Sequence, residues 1–208
     1  MKLLRLLFET IEEEIKKKDL LGKGAHKEAY PAVKYNDVIQ KGEYVIKKWK
    51  KDPTVQGIIN REYTVYKKNP DMFAYISKMD FDRNIMIQKK LDTDRAIKEI
   101  DILTKELKPL YKLDTENIDY TKADYDNNVM FFIETMAENP NIEKKVLSKI
   151  NKTDIATMLS NWLTFMKKSV DMDKSYVDRF NKDRTLSPDL HSKNVGYDSD
   201  GNIKYIDI

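Results

Sequence analysis

The sequence predicts an α+β fold in two lobes: a small β-rich lobe over residues 1–91 and a helical lobe over residues 92–208. Between residues 19 and 91, short segments rich in Val, Ile and Tyr alternate with turn residues. After Leu91 the apolar residues recur at helix spacing. The chain then returns to two short strand-like segments around Asp198-Ser199-Asp200-Gly201-Asn202.

In order, residues 3–18 read as an amphipathic helix, with Leu4, Leu7, Phe8, Ile11 and Ile15 on one stripe and Glu12-Lys16, Glu13-Lys17 and Glu14-Lys18 paired four apart. Gly22 and Gly24 fall in a short loop. Strands are expected over 29–33, 37–40 and 43–47, with Asn36-Asp37 and Lys41-Gly42 as turns. Residues 54–68 read as a helix with Val55, Ile58, Ile59, Tyr63 and Tyr66 on its apolar face. Strands over 73–79 and 84–88 follow, joined at Asp82-Arg83-Asn84, so the order is βββαββ. Ala96, Ile97, Ile100, Leu103 and Leu107 mark the next helix, which Pro109 stops. Another is read over 123–137, ended by Asn139-Pro140. The strongest carries Ile155 to Val170, with Thr153 as its N-cap. The closing hairpin pairs 194–197 with 203–206.

Composition narrows the chemistry. Of 208 residues, 40% are hydrophobic, enough for a core, and 35% are charged. The net charge is only +3 and the signs are interspersed, which argues against a nucleic-acid partner. The cluster Lys47-Lys48-Trp49-Lys50-Lys51 reads as a solvated strand end rather than an RNA contact. With no cysteine, disulfides, thiolate metal sites and cysteine nucleophiles are excluded. Arg5, Glu9 and Glu12 break the apolar opening, and no run approaches the ~18 apolar residues of a membrane span. A soluble cytoplasmic protein with no membrane partner is expected. The richness in Lys, Asn, Ile and Asp is that of an AT-rich genome, such as a phage's.

The polar segment from Ser187 to Tyr197, followed by Lys204-Tyr205-Ile206-Asp207-Ile208, holds the densest chemistry. Asp189 and Asn194 lie five apart. Asp207 ends the second strand of the hairpin, so it should neighbour Asn194. Carboxylate and amide oxygens suit magnesium, a hard cation held by few protein ligands. Asp189 is left to accept or orient a hydroxyl proton. Asp189-x4-Asn194, a hairpin and then Asp207 resembles the catalytic loop and metal-binding aspartate of the protein-kinase-like superfamily. Asp-Leu-His-Ser-Lys-Asn-Val-Gly is most similar to the branch that includes aminoglycoside and choline kinases. The resemblance implies Asp189 as catalytic base, Asn194 and Asp207 as metal ligands, and ATP with Mg2+ as cofactors.

The resemblance extends through the N-terminal half. Leu21-Gly22-Lys23-Gly24-Ala25-His26-Lys27 resembles the superfamily's glycine-rich loop, whose backbone approaches phosphate; Gly22 and Gly24 fit, and the third glycine would fall at Lys27. Tyr44-Val45-Ile46-Lys47 resembles the strand carrying the nucleotide-binding lysine. Val45 and Lys47 share a face there, with Lys48 as the rival register. Glu62 resembles the helix glutamate that holds that lysine. Ile85 to Leu91 would be the last strand and hinge, with backbone near Gln88 and Lys90 meeting adenine. His26 and His191 read as loop residues, and Trp49 and Trp162 as packing residues.

The implied whole is a bilobal protein-kinase-like fold with a small β-rich N-lobe and a reduced helical C-lobe. Ser187 stands where a histidine usually precedes the catalytic aspartate, Pro188 is atypical, and the usual Phe-Gly does not follow Asp207. Two functions stay open. One is an ATP/Mg-dependent phosphotransferase acting on a protein Ser/Thr hydroxyl or a small-molecule hydroxyl. The alternative is a reduced pseudokinase module that binds and regulates a protein partner. An RNA-binding role has only scattered lysines behind it.

Overall fold

Hydrogen-bonded ladders and helix stripes sort the chain into an α+β architecture, seen here in a computed structural model that describes residues 20–23, 27–31, 44–51, 53–113, 128–180 and 194–206. The helix expected over 3–18, the strand over 37–40, and Gly24, His26, Asp189, His191 and Asp207 lie outside the described residues. Two compact units emerge. One holds the described residues through Val65 together with Tyr75–Lys90; the other holds Tyr66–Ala74 and the described residues from Leu91 onward.

The first unit is built on a five-stranded antiparallel sheet. Its strands are β1 (Gly22–Lys23), β2 (Lys27–Pro31), β3 (Tyr44–Trp49), β4 (Ile76–Asp80) and β5 (Ile85–Lys89), in spatial order β1-β2-β3-β5-β4. Helix α1 (Pro53–Lys68) lies between β3 and β4 in sequence, so three strands precede it and two follow; the first of the three is β1, where the sequence predicts a loop, and the strand expected over 37–40 lies outside the described residues. Gly22, expected in a loop, instead pairs with Ala29 as part of β1, and Lys23 meets Glu28 both in register and as an ion pair at 3.2 Å. Internal β5 is buried along Ile85–Gln88, as a strand covered on both faces should be. Its turn needs Asn84 at φ 56°, a left-handed conformation that asparagine tolerates well. On one face, Trp49, Val55, Ile59 and Met86 form a core with Ile76 and Met79 against it. Here α1 closes over the sheet.

In the second unit, α2 (Thr93–Leu107) starts at Asp92, whose carboxylate accepts the Arg95 amide at 3.0 Å. Pro109 does end the α-helix, but the chain runs on as a 3₁₀ helix (Lys108–Leu113). Helices α3 (Asn128–Glu138), α4 (Pro140–Leu147) and α5 (Thr153–Phe180) follow. Asn139-Pro140 is thus a restart rather than a stop. The Asn139 side chain caps Asn141 and Ile142, and Pro140 takes a first-turn position where a missing amide costs nothing. Along α5, Ile155, Leu159, Trp162, Leu163, Met166 and Val170 are buried, the stripe expected from sequence.

Strands β6 (Val195–Tyr197) and β7 (Ile203–Tyr205) form the expected closing hairpin, with Gly201 at φ 81° in its turn. Phe73, expected to open a strand of the first unit, belongs here instead. Ala74 donates to the Tyr205 carbonyl at 2.8 Å and Tyr205 donates to that of Met72 at 2.7 Å, so the segment before β4 is sewn to β7. Tyr197 and Asp92 exchange two further backbone bonds. No helix among the described residues is long and apolar enough to cross a membrane.

Candidate functional site

Strand periodicity sorts the polar side chains of the sheet between its two faces. Lys47 sits in the central strand β3, opposite Ala29 on β2 and Met86 on β5. Met86 belongs to the α1-side core, so Lys47 shares its face, as do Val45 and Trp49 two residues either side. Ile46 and Lys48 point the other way. Lys47 is 3% exposed. Taking an ammonium out of water costs several kcal/mol unless partners face it. Its position is therefore a chemical feature of the sheet and not a by-product of the high lysine content.

Glu62 projects from α1, and Lys27 from the start of β2 reaches it, with Nζ 3.1 and 3.4 Å from the two carboxylate oxygens. Both side chains are largely covered. Lys27 stands opposite Trp49 in register and places its ammonium 5.6 Å from the centre of the Trp49 ring, a cation–π distance. Trp49 is itself buried, and its indole Nε1 meets no acceptor among the described residues. Gln88, also buried, lies opposite Val45 and so looks onto the same face. The α1-facing side of the sheet thus carries the donors of Lys27, Lys47 and Trp49 and the Gln88 amide, and Glu62 reaches it from α1.

Of the other expected residues, Gly22 lies in β1 beside this face, and Lys90 is exposed just past β5. The Lys89 amide is already committed to the Tyr75 carbonyl at 2.7 Å. Asn194 lies in the second unit, immediately before β6, where its carbonyl accepts the Ile206 amide at 2.7 Å. Gly24, Asp189 and Asp207 lie outside the described residues. Among the described residues, no group of three or more His, Cys, Asp and Glu could hold a metal ion.

From sequence, Lys27 fills only a glycine's place and Trp49 only a packing role. The pairing that reveals them joins residues 35 apart. The available signal is periodicity: once β2 and β3 are paired, Lys27 must share a face with Trp49 and Lys47.

A second polar cluster supports the hairpin. The Glu99 carboxylate accepts from Arg95 Nε at 3.1 Å, from Trp162 Nε1 at 3.0 Å and from the Tyr197 hydroxyl. The Arg95 guanidinium stacks 3.8 Å from the Tyr197 ring centre. Burial, reinforced by the bond to Glu99, pushes the Tyr197 phenol well above its ordinary pKa. This network ties β6 to α2 and α5 inside one unit.

No family model and no curated protein matches the chain. Among solved structures it is similar to the streptomycin-ATP-APH(2")-IIa ternary complex, at 14% identity over 96% of this chain and 68% of that one, with a TM-score of 0.35. A likeness at that level decides nothing about function.

Proposed function

We propose that the chain is a kinase-like phosphotransferase whose first unit binds the phosphates of ATP on the Lys47 face. The observation that carries this reading is the buried Lys47, mid-strand and facing the helix that bears Glu62. The order of five antiparallel strands with one helix between the third and fourth supports it, as do the sequence motifs. The donor-rich face fits a polyphosphate. Lys47 would neutralise phosphate charge, and chain beyond the committed Lys89 amide, at Lys90, would meet the adenine edge. Asn194 with Asp207 would hold Mg2+, which commonly takes one or two protein oxygens and completes its shell with water and phosphate. Asp189 would accept or orient the proton of an acceptor hydroxyl, on a protein Ser/Thr side chain or on a small molecule.

ATP, when bound, supplies the phosphoryl group, and the cation spreads its charge. What the chain itself contributes is positioning and charge neutralisation, the main sources of catalysis in phosphoryl transfer. A thermal-shift titration with ATP and Mg2+, followed by a phosphate-transfer assay, tests the proposal. Ligand binding the folded state raises its stability by mass action. The parent should gain stability with ATP and Mg2+, Lys47→Met should lose most of the gain, and Asp207→Ala should lose its magnesium-dependent part. Stabilisation without transfer would point to the partner-regulating pseudokinase module. A parent indifferent to ATP would remove the nucleotide reading.

A further inference from the structure

We infer that Lys27 is a second phosphate-contacting cation of this face, aimed by the Glu62 carboxylate and the Trp49 ring. The inference rests on the nucleotide reading above and adds a residue to it. Lys27 begins β2, which pairs antiparallel with β1. Its ammonium is doubly held by Glu62, at 3.1 and 3.4 Å, and leans on Trp49 at 5.6 Å. A solvated surface lysine has no such definition. Its side chain keeps 18% exposure, so its tip is guided yet still reachable.

Register then pairs it with Lys47. Lys27 stands opposite Trp49, and Lys47 is two residues from Trp49 on the same strand and face. The two lysines are therefore diagonal neighbours, their roots roughly 7–8 Å apart. Long side chains from such positions can converge on a ligand spanning two or three phosphate groups.

The experiment has two arms. In the first, ATP and adenosine affinities are measured for the parent, Lys27→Met and Glu62→Gln. Methionine keeps an apolar stem over Trp49 and removes the charge. Loss of a charge-assisted contact should weaken ATP binding by about tenfold or more in Lys27→Met while leaving adenosine binding unchanged. Glu62→Gln keeps the ammonium and loosens its aim, so its ATP loss should be smaller. The second arm uses the parent alone and an acyl-phosphate ester of ATP. A lysine Nζ beside the phosphates gives up a proton to solvent and attacks the acyl carbon; the N–C amide bond forms with loss of a second proton to solvent, the acyl C–O bond breaks, and ATP departs with that bond's electron pair. Peptide mass spectrometry should find the acyl group on Lys27 as well as Lys47, and excess ATP should protect both. If the parent binds ATP but Lys27→Met binds it equally well, or only Lys47 is labelled, the inference fails and the nucleotide reading stands. If the parent neither binds ATP nor is labelled, both fail.

Discussion

At the scale of single residues, Gly196 leaves far less room for a side chain than Gly57 or Gly201. A Cβ there would lie 2.6 Å from the Leu91 Cβ and 3.3 Å from the Asp92 carbonyl oxygen. Neither neighbour can turn aside, because one is rooted on the main chain and the other belongs to it. The main chain comes this close because Tyr197 and Asp92 exchange both backbone hydrogen bonds. Gly196→Ala should therefore cost about 1–3 kcal/mol through overpacking, read as a lower denaturant midpoint at unchanged slope. A midpoint equal to the parent's would mean that the two segments do not meet as described. In the sequence Gly196 is legible only as part of a motif, since a close approach between residues far apart in the chain leaves no local pattern. Lys47 is more legible: alternation along a strand puts it and Lys48 on opposite faces, and the pairing with Met86 shows that Lys47 is the one on the α1 side.

At the scale of elements, strand and helix periods are readable wherever one face meets a core. The α5 stripe and strand β3 are the clearest cases. Punctuation is less readable, because Asn-Pro ends one helix and starts another with equal economy. The β6–β7 hairpin shows what turn chemistry adds. Asp198 Oδ1 accepts from the Asn202 amide at 2.8 Å and the Asp200 amide at 3.0 Å, and the Asn202 side chain reaches both carboxylate oxygens. Burial alone would raise the Asp198 pKa, but these hydrogen bonds and nearby Lys204 outweigh it, leaving it below its ordinary 3.8. A carboxyl whose folded pKa is lowered contributes stability that is full above the unfolded value and lost as pH falls through the folded one. The hairpin should thus be supported at pH 5 and above and weaken below about pH 4. Acid unfolding of the parent and Asp198→Asn checks the sign. The stability gap between them should be constant near neutrality and close on acidification. A gap that widens in acid would reverse the assignment.

At the scale of the whole molecule, the α+β class is legible because strand-like segments give way to apolar residues at helix spacing. The fate of Tyr66–Ala74 is not, since Phe73 reads as a strand residue locally and its partner, Tyr205, lies far along the chain. Likewise the donor-rich face depends on strands β2, β3 and β5 coming together, which individual motifs only imply. The two units do, however, carry one tryptophan each, and the sequence has just two. Trp49 lies under the Lys27 ammonium on the proposed phosphate face. Trp162 is fully buried, edge-on to Phe165 and Tyr197, with its N–H spent on Glu99. Single-tryptophan variants therefore separate the units optically. In Trp162→Phe, the remaining Trp49 emission should change when ATP is added, because moving Lys27 toward phosphate alters the charge over the indole. In Trp49→Phe, the sealed Trp162 should stay silent under the same addition. Tyr197 and Arg95 still satisfy Glu99 when Trp162 is replaced, so that variant keeps its network. A response from Trp162 alone would place the nucleotide away from the Lys47 face and refute the proposed site, whereas a Trp49 response that vanishes in Lys27→Met would tie the optical change to that one ammonium.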